Sequence, residues 1–313
     1  MPEIVDLRRL SSRDLDPLLR EETAAWRGEL DWDFEKSADL VRRFVDVHAL
    51  SGAALVVDNQ VAGYLYYVVE DSKGLIGDLY LLRQFQSVEY EDLLLSCGVE
   101  GILAHPNINR IEAQLLMLQH VPGRRLPSAQ YASSHDRNFM RVSLATASLS
   151  EGRVRRPMYM ETWADHYQDA AAQLIADAYA GHVDSRVNDQ YRSPAGARRF
   201  LFNIVQFPGC GTFFRPASYI AFEGASGQPC GISLASLVAP DSGHITQICV
   251  SPSVRGTGIG HALLRQSLLT LRDMGCYTAS LTVTAANENA VALYERVGFR
   301  TIRKFSAYSW EGF

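Results

Sequence analysis

The sequence predicts a mixed α/β protein made of two tandem domains. Three observations carry that expectation. The chain has 313 residues, and about 100–200 residues per domain gives two. Segments with apolar residues at helical spacing alternate with short segments at strand spacing. The order of these segments is the same in both halves, which points to an internal duplication. A chain of this length with 47% hydrophobic residues buries a sizeable core without a metal or disulfide staple.

Residues 14–26 and 35–47 carry helical spacing, with Leu40, Val41, Phe44 and Val47 on one face of the second segment. Residues 53–57, a turn at Asp58–Asn59 and residues 61–69, rich in Val and Tyr, read as strand, turn and strand. A strand at 75–82, a helix at 90–103 and strands at 111–118 and 138–144 complete a first domain, 1–145. Residues 146–156 are small, polar and charged, with Pro157 just beyond, and read as a linker. The second domain, 157–313, repeats the order. A strand at 158–163 precedes helices at 167–179 and 193–205, the latter entered through Pro194. A hairpin follows at 218–223 and 231–238, then a strand at 245–250, a helix at 258–274 and a strand at 277–284. A short helix at 290–297 and a strand at 301–310 close the chain.

The net charge of −5 argues against nucleic-acid binding, which rests on a Lys/Arg surface, and slightly favours a cationic substrate. The N-terminus lacks the basic and apolar regions of a signal peptide, and no apolar run approaches the roughly 20 residues a bilayer requires. Cys97, Cys210, Cys230, Cys249 and Cys276 are scattered and odd in number, without a CxxC pair. They read as reduced thiols of a cytoplasmic protein, with no disulfide frame and no metal site.

The informative stretch is 245–299. A strand ends at Val250-Ser251-Pro252, and Arg255-Gly256-Thr257-Gly258-Ile259-Gly260 leads into a helix whose stripe is Ile259, Leu263, Leu264, Leu268 and Leu271, stopped by Gly275. A strand, a glycine-rich turn and a helix N-terminus make an anion site, because unpaired N–H groups and the positive end of the helix dipole share one space. No acid lies between 251 and 260, and Arg255 adds charge. The Walker pattern fails, since the loop ends in Gly260-His261-Ala262, and the spacing GxGxG is not the dinucleotide GxGxxG. In the second motif Ala290, Leu293, Tyr294 and Val297 fall at i, i+3, i+4 and i+7, which turns Tyr294 inward.

Arg255, Gly258 and Gly260 match Gln/Arg-x-x-Gly-x-Gly/Ala, and the loop resembles the acetyl-CoA pyrophosphate loop of GCN5-related N-acetyltransferases (GNAT). Val283, Asn287, Ala290, Leu293-Tyr294 and Gly298-Phe299 resemble that family's next motif at its expected distance. The resemblance implies two tandem domains, each with a mixed, mostly antiparallel central sheet flanked by helices. It implies an acetyl-CoA-dependent N-acetyltransferase that passes the acetyl group directly to an amine in a ternary complex. Ile248, Cys249, Val250, Arg255, Gly256, Thr257, Gly258, Ile259, Gly260, His261 and Asn287 would hold the cosubstrate, and no metal is implied. Val250 N–H would polarise the thioester carbonyl, and Tyr294 would protonate the departing thiolate.

Relatives place a glutamate base at the start of the fourth strand, where this chain has His244; His244 as a solvated turn residue, Glu288 or a water chain are the alternatives. Asp184 and Tyr191 are candidates to hold the acceptor's ammonium group by charge and cation–π contact, unless 182–191 is an ordinary polar loop. The acceptor would be a small-molecule or peptide amine, and the protein a monomer or homodimer. In the first half no glycine lies from 78 to 97, and Glu89, Glu91 and Asp92 crowd the corresponding helix start. Carboxylates there repel a pyrophosphate, so this copy reads as degenerate. A non-catalytic acyl-CoA sensor or interaction module is the alternative function.

Overall fold

Alternating periodicity is realised in the order β1 (Glu3–Asp6), α1 (Ser12–Leu30), α2 (Glu35–Asp46), β2 (Ser51–Val57), β3 (Gln60–Glu70), β4 (Lys73–Leu81), α3 (Val88–Leu103), β5 (Arg110–Gln114) and β6 (Ala132–Ser143). The chain continues through β7 (Met158–Thr162), α4 (Gln168–Tyr179), α5 (Asp184–Val187), α6 (Pro194–Gln206), β8 (Thr212–Phe213), β9 (Tyr219–Glu223) and β10 (Pro229–Ala239). It ends with β11 (Ser242–Val250), α7 (Ile259–Asp273), β12 (Thr278–Thr284), α8 (Glu288–Val297) and β13 (Arg300–Glu311). This computed structural model describes every residue except Met1, Pro208 and Cys210, so one of the five cysteines lies outside the described residues. Among the described residues no helix is long and apolar enough to cross a membrane.

The chain divides into two units, 1–137 with 304–313, and 138–303. This corrects the expected division at 145 and 157–313. The reason is backbone pairing: the edge of β5 is completed by Ala307–Glu311 of β13, antiparallel to Arg110–Gln114. Tyr308 and Trp310 are buried with Leu65, Leu94 and Ile111 in the first unit's core. The expected linker, 146–156, lies wholly inside the second unit.

In the first unit the strand order is β1-β2-β3-β4-β5-β13. Neighbours are antiparallel except β4 and β5, which run parallel. The face expected for α2 is not the buried one. Ala38, Val41 and Val45 turn inward, and Leu40, Phe44 and Val47 are exposed.

At the centre, Glu22 of α1 is wholly buried and accepts hydrogen bonds from Tyr64 Oη (2.9 Å) and Trp26 Nε1 (3.3 Å). It also shares a hydrogen bond with Asp78, whose carboxylate accepts from Leu79 N–H at 2.8 Å. Burial pushes both carboxyls up, Glu22 well above its ordinary value and Asp78 to about 6.

The second unit repeats the plan. Its order is β6-β12-β11-β10-β9-β7, with β8 on β10, and β11 and β12 form the parallel pair. Leu264, Leu268 and Leu271 of α7 pack with Ala279, Leu281 and Val283 of β12 and with Tyr294, Val297 and Phe299. Leu174, Ile175 and Leu201 of α4 and α6 pack with Ile220, Ile232 and Leu234.

A carboxyl whose pKa is raised on folding binds its proton more tightly in the native state. The stability it contributes is therefore present below the unfolded value and lost as pH rises through the folded one. Thermal melts of the wild type should show stability falling as pH rises from about 4 through about 6, and Asp78→Asn should lessen that fall while leaving the part due to Glu22, whose pKa is raised first of all by burial. A wild-type melting temperature that rises across this window would refute the assignment.

Candidate active site

β11 and β12 pair in parallel from Ser242–Ile245 against Thr278–Leu281, and among the described residues the pairing stops there, while β11 stays bonded to β10 up to Val250. Where they part, a cleft of about 680 Å³ opens. Ile248, Cys249 and Val250 form its floor, the glycine loop closes one end, and α8 and the C-terminal end of α4 supply walls.

The loop is shaped by two left-handed glycines, Gly256 (φ +74°) and Gly258 (φ +96°). Gly258 is also the N-cap of α7 and offers no side-chain cap, and the first turn of α7 contains no acid. The N–H groups and dipole at this end are therefore left for an anion. A Cβ on Gly258 would lie 2.5 Å from the Arg153 carbonyl oxygen, whereas one on Gly260 would meet only Val250 Cγ1 at 3.7 Å. His261 lines the cleft with a buried Nδ1 that has no hydrogen-bond partner among the described residues, and burial lowers its pKa. A helix start entered through left-handed glycines, with no side-chain cap and no acid in its first turn, fits a phosphate-bearing ligand.

Of the residues expected to hold the cosubstrate, Ile248, Cys249, Val250, Arg255, Gly256, Gly258, Gly260, His261 and Asn287 line the cleft. Thr257 and Ile259 do not. The Thr257 hydroxyl turns back to the Val254 carbonyl at 2.6 Å, and Ile259 packs into the core with Leu263 and Val254. Arg255 lines the cleft, but its guanidinium donates to the Ala178 carbonyl at the end of α4. Asn287 caps α8, its side chain accepting from Ala290 N–H at 3.4 Å. Tyr294 is buried against Phe299, with ring centroids 5.9 Å apart, and its side chain reaches the cleft. Burial holds the Cys249 thiol protonated, its pKa pushed up to about 12.

Two expectations are corrected. His244 does not line the cleft: it is buried, stacked on Phe139 (6.0 Å), with Nδ1 2.9 Å from Ser280 Oγ, and burial lowers its pKa to about 3. Such an imidazole is too weak a base for an ammonium proton. A bulge at Thr246, between the pairs Ala235–Ile245 and Leu234–Gln247, breaks the side-chain alternation of β11 between His244 and Val250.

Tyr191 does not line the cleft: Tyr179 stacks on one of its faces at 4.5 Å, Phe200 lies perpendicular to it at 4.9 Å, and its hydroxyl bonds Gln247 at 3.2 Å. Nor does Asp184 line the cleft. Its carboxylate accepts from the Thr284 hydroxyl and lies 3.6 Å from Nδ1 of His182, which does line it. The α8 residues missed by the sequence reading are Asn289, Ala292 and Arg296. With Leu293 they form their own i, i+3, i+4, i+7 stripe, one position from the apolar one, and that spacing was a readable signal.

The corresponding helix of the first unit is closed. Ser87 Oγ caps α3 by accepting from Tyr90 N–H at 3.2 Å. Glu91 is buried, accepts from Gln119 N–H at 3.1 Å and pairs with Arg124, which also reaches Asp92 at 3.1 Å. The chain's own ion pairs occupy this helix start.

The model of the Acetyltransferase (GNAT) family matches residues 160–299. The chain is similar to the mycothiol acetyltransferase of Pseudarthrobacter chlorophenolicus, 30% identical over 76% of this chain and 71% of that one. It is also similar to the mycothiol acetyltransferase of Propionibacterium freudenreichii, 22% identical over 88% of each. Among solved structures, a GCN5-related N-acetyltransferase from Sphaerobacter thermophilus superposes with a TM-score of 0.68 over 99% of this chain and 95% of that one, at 18% identity. A tandem GNAT protein from the clavulanic acid biosynthesis pathway gives 0.58 over 99% and 98%, at 15% identity.

The two loop glycines should respond differently to alanine. Gly258→Ala meets both a disfavoured φ and a carbonyl clash, and should weaken acetyl-CoA binding about tenfold or more by titration calorimetry. Gly260→Ala should stay within about threefold of wild type. Equal losses would refute this account of the loop.

Proposed function

The chain belongs to the GNAT acetyltransferase family and is an N-acetyltransferase, and from that premise we propose that acetyl-CoA and a small amine bind together in the cleft of the second unit. The acetyl group then passes directly from sulfur to nitrogen. The observation that carries this reading is the parting of β11 from β12 directly below an uncapped, glycine-entered helix, with Tyr294 in the same cleft. The non-catalytic alternative is set aside, because the chain is an enzyme.

Each part of the cleft has a task. The N–H groups at the start of α7 hold the diphosphate. Val250 N–H polarises the thioester carbonyl and stabilises the oxyanion that develops on it. The amine lone pair forms the new C–N bond as the C–S bond breaks, and Tyr294 Oη delivers a proton to the departing thiolate. The amine must lose a proton; of the two imidazoles that line the cleft, His261 sits at the start of α7 with the diphosphate, which leaves His182, beside Asp184, as the base. Holding both reactants in one cleft supplies much of the acceleration.

The first unit, its helix start occupied by Glu91 and Arg124, serves as a partner domain without acetyl-CoA, so one molecule binds per chain. The relatives that match along most of the chain are mycothiol acetyltransferases, which makes mycothiol-related amines the first acceptors to screen.

Titration should give one acetyl-CoA site per chain. Tyr294→Phe should leave that affinity unchanged and lower kcat by about a hundredfold, and unchanged turnover would exclude the acid role. His182→Ala should lose most activity at neutral pH and recover as pH rises and the free amine becomes abundant. A mutant to wild-type ratio that is flat across pH would reject it as the base.

A further inference from the structure

The segment read as a linker is laced onto the cofactor half of the second unit. Ser148 N–H donates to the Val297 carbonyl at the end of α8 (2.8 Å), and the Leu149 carbonyl accepts from Arg265 Nε of α7 (2.7 Å). Gly152 lies so close to the His261 ring that a Cβ would stand 2.6 Å from Nδ1. The Arg153 carbonyl rests on Gly258, and Arg155 N–H donates to the Thr257 carbonyl at 2.8 Å. Between these two arginines, Val154 packs against the small core that holds Val254, Ile259 and Leu263. The segment is thus a strap pinned to α8, to α7 and to the glycine loop itself.

Its two central arginines are exposed, and neither guanidinium has a hydrogen-bond or ion-pair partner among the described residues. Arg296 of α8 lines the cleft and likewise has no partner among the described residues, whereas the remaining nearby cations are engaged. Arg255 is engaged by the Ala178 carbonyl, Arg156 pairs with Glu223, and Arg265 bonds Leu149. The one carboxylate within the strap, Glu151, is well exposed and 3.9 Å from Arg265. A polyanion seated on the loop would therefore find the motif's own arginine committed elsewhere and two uncommitted arginines on a backbone already fixed against that loop.

We propose that Arg153 and Arg155 are positioning residues of the acetyl-CoA site that bind the phosphate groups of the cosubstrate. The strap is then part of the active site and not a tether. This rests on the acetyl-CoA reading above. The strap's backbone is ordered by its own hydrogen bonds, so binding would cost little beyond fixing two side chains, and guanidinium–phosphate hydrogen bonds are charge-assisted.

The full chain is titrated with acetyl-CoA at low and high salt as wild type, Arg153→Ala/Arg155→Ala, Arg153→Lys/Arg155→Lys, and a charge-matched control in the first unit, Arg20→Ala/Arg83→Ala. The alanine pair should raise Kd about tenfold or more and flatten its salt dependence, the lysine pair should retain most of the affinity, and the control should match wild type. Turnover at saturating acetyl-CoA should stay within about twofold. Turnover with S-acetylpantetheine, which has no diphosphate, should not respond to the alanine pair. An unchanged Kd, a loss shared by the control, or an equal loss with S-acetylpantetheine would overturn the proposal. Failure of the wild type to bind acetyl-CoA would instead remove the function reading on which it rests.

Discussion

A parallel strand pair offers its hydrogen bonds only while the strands stay side by side, and β11 and β12 separate after Ile245 and Leu281. From that point the inner edge of β11 faces a gap. The chain closes the far end of that gap with a helix N-terminus, so the Val250 backbone and the start of α7 lie in one channel. Tyr294 and Asn287 reach the same channel because α8 follows β12 after the turn at its end. A tighter pairing of the strands would abolish the site without changing any of its side chains.

The two units show how small a chemical difference separates a ligand site from a closed one. Both place a helix directly after the fourth strand of a similar sheet. In the first, a serine cap and a buried glutamate paired with arginine satisfy the helix start internally. In the second, a left-handed glycine replaces the cap and no acid enters the first turn. Those N–H groups border an open cleft, where water can pair with them until an anion takes its place.

Local features were legible in the sequence. The glycine loop, the stripe of α7 and the inward turn of Tyr294 each depend on residues within a few positions of one another, and the structure places them as their spacing predicts. His244 was not legible, because its surroundings depend on a bulge at Thr246 and on Phe139, distant in the chain. Tyr191 failed for a similar reason: its ring is packed against Tyr179 and Phe200, on two different helices. The strap escaped notice because its attachments are mainly backbone carbonyl and N–H groups, which composition does not report, and Val154 alone among 151–156 hints at burial. The division of the chain was misplaced because strand pairing of β13 with β5 ignores sequence order.

That pairing bears on how the protein is made. Gln114 leaves the ribosome long before Ala307, its partner across the sheet, and Tyr308 and Trp310 fill a core whose other residues are synthesised first. The amino-terminal unit must therefore wait, with one strand edge and part of its core uncovered, until the intervening unit has been translated. Contacts so distant in sequence slow folding, and an exposed strand edge invites misassembly. The chain thus links the completion of its first unit to the synthesis of nearly all of its second, so a nascent chain truncated within the second unit carries an unfinished first one.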